Sequence, residues 1–190
     1  MSDAVSPAYD DFRVPVGRDL FERAAHCWPG LWKRLGNLET WCLGSIIDSR
    51  PIDRPIFVAG LARSGSTILL EILAAHPHVA THRYRDFPLV FTPYLWNEIV
   101  RRSPGSRDCA VERTHRDGIM ITPESPEAME EPIWQAFFRD AHNPAVSQVL
   151  DESVERPDFE KFYCDHIRKL LAIRGGSRYV SKGNYNFSRL

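Results

Sequence analysis

The chain has 190 residues, 43% hydrophobic and 26% charged, which describes an ordinary globular protein of one domain, or one domain with an extension. Its net charge of −1 excludes a broad nucleic-acid-binding surface, which would carry a basic excess. Any anionic ligand must therefore be met by a local cluster of arginines and lysines.

Cys27, Cys42, Cys109 and Cys164 are far apart and form no C-x-x-C pair, so they read as reduced, mostly buried thiols of a cytoplasmic protein. The stretch MSDAVSPAYDDF has no basic flank or apolar core, and no apolar run approaches the roughly 18 residues of a membrane span.

Residues 1–54 read as a helical N-terminal extension. Leu20, Phe21, Ala24, Ala25 and Trp28 recur at helical spacing, and a second set follows around Leu38, Trp41, Cys42 and Ile46, with Pro29-Gly30 between them. DSRPIDRP is the connection to residues 55–190. There, PIFVAG has the short, continuous apolar character of a buried parallel strand. Residues Gly65 to Ala75 are apolar nearly all round, which predicts a buried helix stopped at Pro77. Another helical pattern runs from about Leu89 to Val100.

Ser125-Pro126 and Glu131-Pro132 both read as helix starts, with proline at the first helical position. The acidic ESPEAMEEP reads as a solvated helix entrance, its carboxylates opposing the positive end of the dipole. The clearest helix spans Pro157 to about Arg174. Phe159, Phe162, Tyr163, His166, Ile167, Leu170 and Leu171 share one face, and Gly175-Gly176 supplies the stop. His166 on that face reads as a satisfied core residue. SRYVSKG is a further strand, and NYNFSRL begins another element. Two or three parallel strands with a last segment at Leu190 read as the N-terminal half of a larger, incomplete domain.

The chemistry concentrates in FVAGLARSGST, residues 57–67, where a strand enters a glycine-bearing turn and then a helix. Backbone N–H groups at a helix start point at an anion, and the helix dipole favours negative charge. Gly60 lets the chain leave the strand sharply and Gly65 lets the backbone approach a phosphate. Ser64, Ser66 and Thr67 add hydroxyl donors, and Arg63 can clamp oxygens in a bidentate fork. A nucleoside triphosphatase loop would carry lysine at position 66 and an acidic residue after another strand to hold magnesium. Ser66 occupies the first position, and Asp151 after AVSQVL is a weak imitation of the second.

The stretch PIFVAGLARSGSTILLEILAAHPHV, about 25 residues, resembles the opening of sulfotransferases that use 3′-phosphoadenosine 5′-phosphosulfate (PAPS). The resemblance implies an α/β, P-loop-like three-layer fold, a parallel sheet flanked by helices. It also implies a loop of Arg63, Ser64, Gly65, Ser66 and Thr67 that binds the 5′-phosphosulfate without a metal. Arg63 would neutralise charge on the bridging oxygen as sulfuryl leaves, and the missing lysine is expected because this cofactor has no γ-phosphate. YVSKGNYNFSRL resembles the segment in which a strand ends in a lysine that reaches the sulfuryl group, here Lys182; a solvent-exposed strand-end lysine is the other reading. Asn184 and Asn186 follow as residues that orient substrate or cap a helix. The family's base often follows HP by several residues, where this chain has Arg83 and Tyr84. Asp86 is the leading base and His82 the alternative, while Asp86 also suits a pairing with Arg83 or Arg85.

The implied acceptor is a hydroxyl or amine on a small molecule, lipid or carbohydrate, and Tyr84, Phe87, Phe91, Tyr94 and Trp96 are candidates for its pocket or for the core. The family's 3′-phosphate and adenine contacts would lie past Leu190, so residues 1–190 alone are expected to bind PAPS poorly. A nucleotide or small-molecule kinase with a variant loop, and a non-catalytic remnant of the fold, are the competing classes.

Overall fold

The structure is a computed structural model that describes residues 28–61, 63–102, 110–112, 118–143, 145–147, 149–151 and 153–189. The helical pattern read before Trp28 lies outside these residues, as do Cys27 and Cys109.

The first described helix, α1, spans Pro29–Asp48. Pro29 opens it instead of breaking it, because at the first helical position proline has no N–H to lose and its φ is already helical. Strand β1, Ile56–Ala59, leads through the glycine loop into α2, Ser66–Ala74. Then come β2 (Val79–Ala80), a 3₁₀ turn at Tyr84–Asp86 and α3 (Pro93–Arg102). Two short strands, β3 (Val111–Glu112) and β4 (Met120–Ile121), pair antiparallel. Helices α4 (Glu131–Phe137) and α5 (Pro157–Arg174) precede β5 (Arg178–Gly183) and a 3₁₀ turn at Asn186–Ser188.

The main sheet is parallel in the order β1–β5–β2. Ile56 to Ala59 pair with Val180 to Gly183, and Val79 and Ala80 pair with Arg178 and Tyr179. Successive side chains of a strand alternate between faces. Val180 accordingly packs with Val58 and with Leu70 of α2 on one face, while Tyr179 joins Phe159, Tyr163, Ile167 and Leu170 on the other. Helices thus cover both faces of the sheet, and the three-layer α/β architecture follows. Gly175, at φ 70, ends α5 in the left-handed conformation, as Gly175-Gly176 implies.

Helix α1 joins α5 at one close point. Lys169 Nζ, fully buried, donates to the Gly36 carbonyl at 2.7 Å and lies 3.0 Å from Glu39 Oε2. Glu39 Oε1 accepts the Leu95 amide of α3 at 2.7 Å, so one buried ion pair fastens three helices.

Three expectations are corrected. Helix α2 is half-buried, with Ile68, Leu69 and Ile72 exposed and Leu70 the inward apolar residue; an apolar sequence all round does not itself supply a second partner. No helix starts at Ser125. Pro126 bridges to Arg83, the Tyr84 amide donates to the Ser125 carbonyl, and these cross-chain bonds hold the segment extended. The described residues of 145–151 form no strand, in keeping with the weak imitation read at Asp151. Cys42 is exposed, on the outer side of α1.

Candidate active site

In a parallel sheet the loops that follow the strands gather at its carboxyl edge, where open α/β sheets hold ligands. Here that edge collects the glycine loop after β1, the end of β5 and the turn after β2. Gly60 leaves β1 close against the loop, where a Cβ would lie 2.6 Å from the rotatable Ser64 Oγ and 3.6 Å from Ser66 Cβ. The Ser64 amide closes a turn on the Leu61 carbonyl at 3.2 Å. Arg63 has φ 65, an uncommon conformation outside glycine, and Gly65 caps α2 at φ 81. The first amide bonded back along α2 is that of Leu69, to Gly65 O at 3.1 Å, so the preceding amides have no carbonyl within the helix. Arg63, Ser64 and Gly65 are exposed, Thr67 is half-buried and Ser66 is buried.

Lys182 pairs in register with Val58, two residues before Gly60. Alternation puts it on the same face of β5 as Val180, the face packed on α2. Lys182 is buried, which sets aside a solvent-exposed strand-end lysine. The turn beyond it is fixed to β1: Asn186 Nδ2 donates to the Val58 carbonyl at 3.3 Å, and a Cβ on Gly183 would lie 2.5 Å from Asn186 Oδ1. Asn186 is thereby a structural residue. A cavity of about 180 Å³ at this end of β5 is lined by Glu130, Glu131, Lys182, Asn184, Tyr185 and Arg189, among others.

The turn after β2 carries His82 and Asp86, which are 2% and 1% exposed. Asp86 does not pair with Arg83 or Arg85. It accepts from Arg174 Nη2 of α5, from the Arg83 amide at 2.9 Å and from His82 Nδ1 at 3.1 Å. His82 Nε2 in turn lies 2.9 Å from His166 Nε2, so the two rings share a hydrogen bond. Burial, with the neighbouring His82 and Lys169, pushes His166 well below the ordinary histidine range and keeps it neutral. Arg83 and Arg85 both bind Glu124 instead. Of the aromatics after the loop, Phe91 is in the core, Trp96 Nε1 donates to the Arg85 carbonyl at 2.7 Å, and Tyr84 donates to Glu127.

Glu130 is the residue that the sequence conceals. The acidic stretch reads as solvated, yet Glu130 is 5% exposed and accepts three hydroxyls, from Tyr163 at 2.6 Å, Tyr179 and Ser181. Its helical phase was the available signal, since Glu130, Ile133 and Phe137 fall at i, i+3 and i+7. Burial, followed by the adjacent Glu130 charge, raises the Tyr163 and Tyr179 phenols well above the ordinary tyrosine range. Glu131 is bound by Arg189 through both oxygens, at 2.7 and 3.1 Å, and by His142 Nε2 at 2.6 Å.

Among the described residues no helix is long and apolar enough to cross a membrane. No curated protein and no solved structure matches the chain. Residues 55–188, from the connection before β1 to the end of the last 3₁₀ turn, match the model of the sulfotransferase family. A match over that span covers the whole sheet, the glycine loop and Lys182, and the chain belongs to the sulfotransferase family.

Proposed function

We infer that the protein transfers a sulfuryl group from PAPS to a hydroxyl or amine acceptor. The observation that carries this reading is the pairing of Arg63, exposed and held at φ 65, with the left-handed Gly65 cap and free amides of α2. Non-glycine residues at positive φ cost of order 1–3 kcal/mol and cluster at functional sites. The crowding of Gly60 by Ser64 Oγ describes a loop folded close enough to cradle an anion.

PAPS supplies an activated sulfuryl group, whose sulfur–oxygen bond to the 5′-phosphate breaks as the acceptor atom bonds to sulfur. The amides at Gly65 to Thr67, with the Ser64, Ser66 and Thr67 hydroxyls, bind the 5′-phosphate end. Arg63 and Lys182 oppose the charge that develops on the bridging oxygen. Asp86 and His82, the bases that the sequence offers, are assigned the positioning of the turn after β2, because Arg174 and His166 occupy their polar atoms. Glu127 is excluded on the same ground, since Tyr84 donates to its Oε2 and the Ala128 amide to its Oε1, and the acceptor's proton is released to solvent.

The experiment is a metal-free assay in EDTA with PAPS and a panel of phenols, alcohols and amines, read as release of adenosine 3′,5′-bisphosphate. Release that falls at least tenfold in Arg63→Ala supports sulfuryl transfer. Magnesium-dependent consumption of ATP in its place would establish a kinase.

A further inference from the structure

We propose that the cavity beside the Lys182 pocket holds the non-reacting end of the acceptor, and that this end is a planar ring bearing a carboxylate. The inference rests on the sulfuryl-transfer reading for the word acceptor, and on this cavity alone for the ligand chemistry.

The cavity has a volume of about 130 Å³, and its walls include Trp134, Phe138, Arg139, Arg156, Tyr185 and Arg189. A void of roughly 150 Å³ accommodates benzene, so the size suits one six-membered ring. The walls suit it too. Trp134 and Phe138 stack with ring centroids 5.6 Å apart, and Tyr185 closes another side. Apolar and aromatic walls with a few placed polar groups are the usual composition of a small-molecule site.

The polar groups are guanidiniums. Arg189 lies 4.2 Å from the Trp134 ring centroid and is held there by Glu131. Arg156 lies 5.7 Å from the Phe138 ring centroid. Among the described residues no carboxylate pairs with Arg139 or Arg156. The three guanidiniums outnumber the two carboxylates nearby, Asp140 and Glu131. A planar fork beside an aromatic wall matches a carboxylate bidentately, which selects an anionic ring over a neutral one.

The position suits an acceptor. Tyr185 and Arg189 line both this cavity and the one that contains Lys182, so the two spaces meet at a shared wall.

The test uses two probes of equal ring and similar length, 4-hydroxyphenylacetate and the neutral 4-hydroxyphenethyl alcohol, titrated by saturation-transfer NMR and calorimetry without nucleotide. The carboxylate is expected to bind at least tenfold tighter than the alcohol. Arg139→Gln and Arg156→Gln are expected to remove most of that preference, weakening the carboxylate at least tenfold more than the alcohol. Both side chains are exposed, so these variants should keep the wild-type fold, checked by circular dichroism. Equal affinity for the two probes, no binding of either, or a preference that survives both variants overturns the proposal. Adenosine 3′,5′-bisphosphate is titrated in parallel against wild type and Arg63→Ala. Loss of bisphosphate binding with the carboxylate preference intact locates the two ligands at separate sites. Absence of bisphosphate binding in wild type even at millimolar ligand, well above the weak affinity expected of residues 1–190 alone, would sink the sulfuryl-transfer reading and leave the cavity assignment standing.

Discussion

Arg174, in the last turn of α5, donates from Nη2 to Oδ1 of Asp86, 88 residues earlier in the chain. Arg174 Nη1 also donates to Asn97 of α3 at 3.0 Å, so one guanidinium joins α5, α3 and the turn after β2. Burial works to raise the Asp86 carboxyl, but the His82 hydrogen bond and charge, then Arg174, outweigh it and hold the group well below the ordinary carboxylate range.

A carboxyl depressed in the folded state stabilises fully above its unfolded value, about 3.9, and loses that contribution as pH falls toward the folded value. Asp86→Asn removes one partner of a buried pair and should cost about 3–5 kcal/mol at pH 7, read by urea denaturation. The gap between wild type and variant should shrink as pH falls below about 4. A gap that stays constant from neutral pH to pH 3 would show that the ion pair is not its source.

Arg63 predicts effects of opposite sign on stability and binding. Its φ of 65 suits glycine, so Arg63→Gly should relieve backbone strain and leave the protein equally stable or more stable, by up to about 1–2 kcal/mol. The same change removes a charge-assisted bond of about 1.5–3 kcal/mol and should weaken adenosine 3′,5′-bisphosphate binding roughly 10- to 100-fold. Thermal melts beside calorimetric titrations measure both. A destabilised Arg63→Gly with unchanged binding would assign the arginine to the fold.

What the sequence made legible was local. The strand–glycine–helix order at residues 56–74, the Gly175 stop of α5 and the strand at Arg178–Gly183 follow from patterns a few residues long. What it hid depends on partners far along the chain. Arg83 and Arg85 are the nearest cations to Asp86, but both reach Glu124, about 40 residues on, and leave Asp86 to α5. Glu130 sits in an acidic run whose composition implies water, yet its three hydroxyl donors come from 33, 49 and 51 residues away. Periodicity shows which face turns inward; it does not show that a carboxylate on that face finds three donors.

Those donors give an alkaline prediction. Burial, then the Glu130 charge, raises the Tyr163 and Tyr179 phenols well above 10, so the hydroxyl form is favoured in the folded state. A raised folded value means stability fully present below the unfolded value, about 10, and lost as pH climbs through the folded one. In an ultraviolet titration two of the six tyrosines should ionise only as the protein unfolds. Tyr163→Phe and Tyr179→Phe should each remove one tyrosine from that late phase. Glu130→Ala, which leaves three hydroxyls without their acceptor, should cost about 1–3 kcal/mol or more. Early ionisation of all six in folded protein would contradict this account.

Two glycines of α1 should respond in opposite directions to the same substitution. At Gly36 a Cβ would lie 2.7 Å from Phe162 Cε2 and Cζ and 2.9 Å from the Phe91 carbonyl. Phe162 is packed in the core and the carbonyl is backbone, so neither moves freely, and the Gly36 carbonyl also anchors Lys169. Gly36→Ala should therefore cost about 1–3 kcal/mol through overpacking. At Gly44 nothing lies within 4 Å of the built Cβ, and the position is interior to the helix. Gly44→Ala should add about 0.5–1 kcal/mol, since alanine loses less conformational freedom than glycine on entering a helix. Urea midpoints for the pair measure the difference with the same chemical change on the same helix. If both variants shift the same way, helix propensity governs α1, and its close approach to α5 at Gly36 and Lys169 contributes little to the fold.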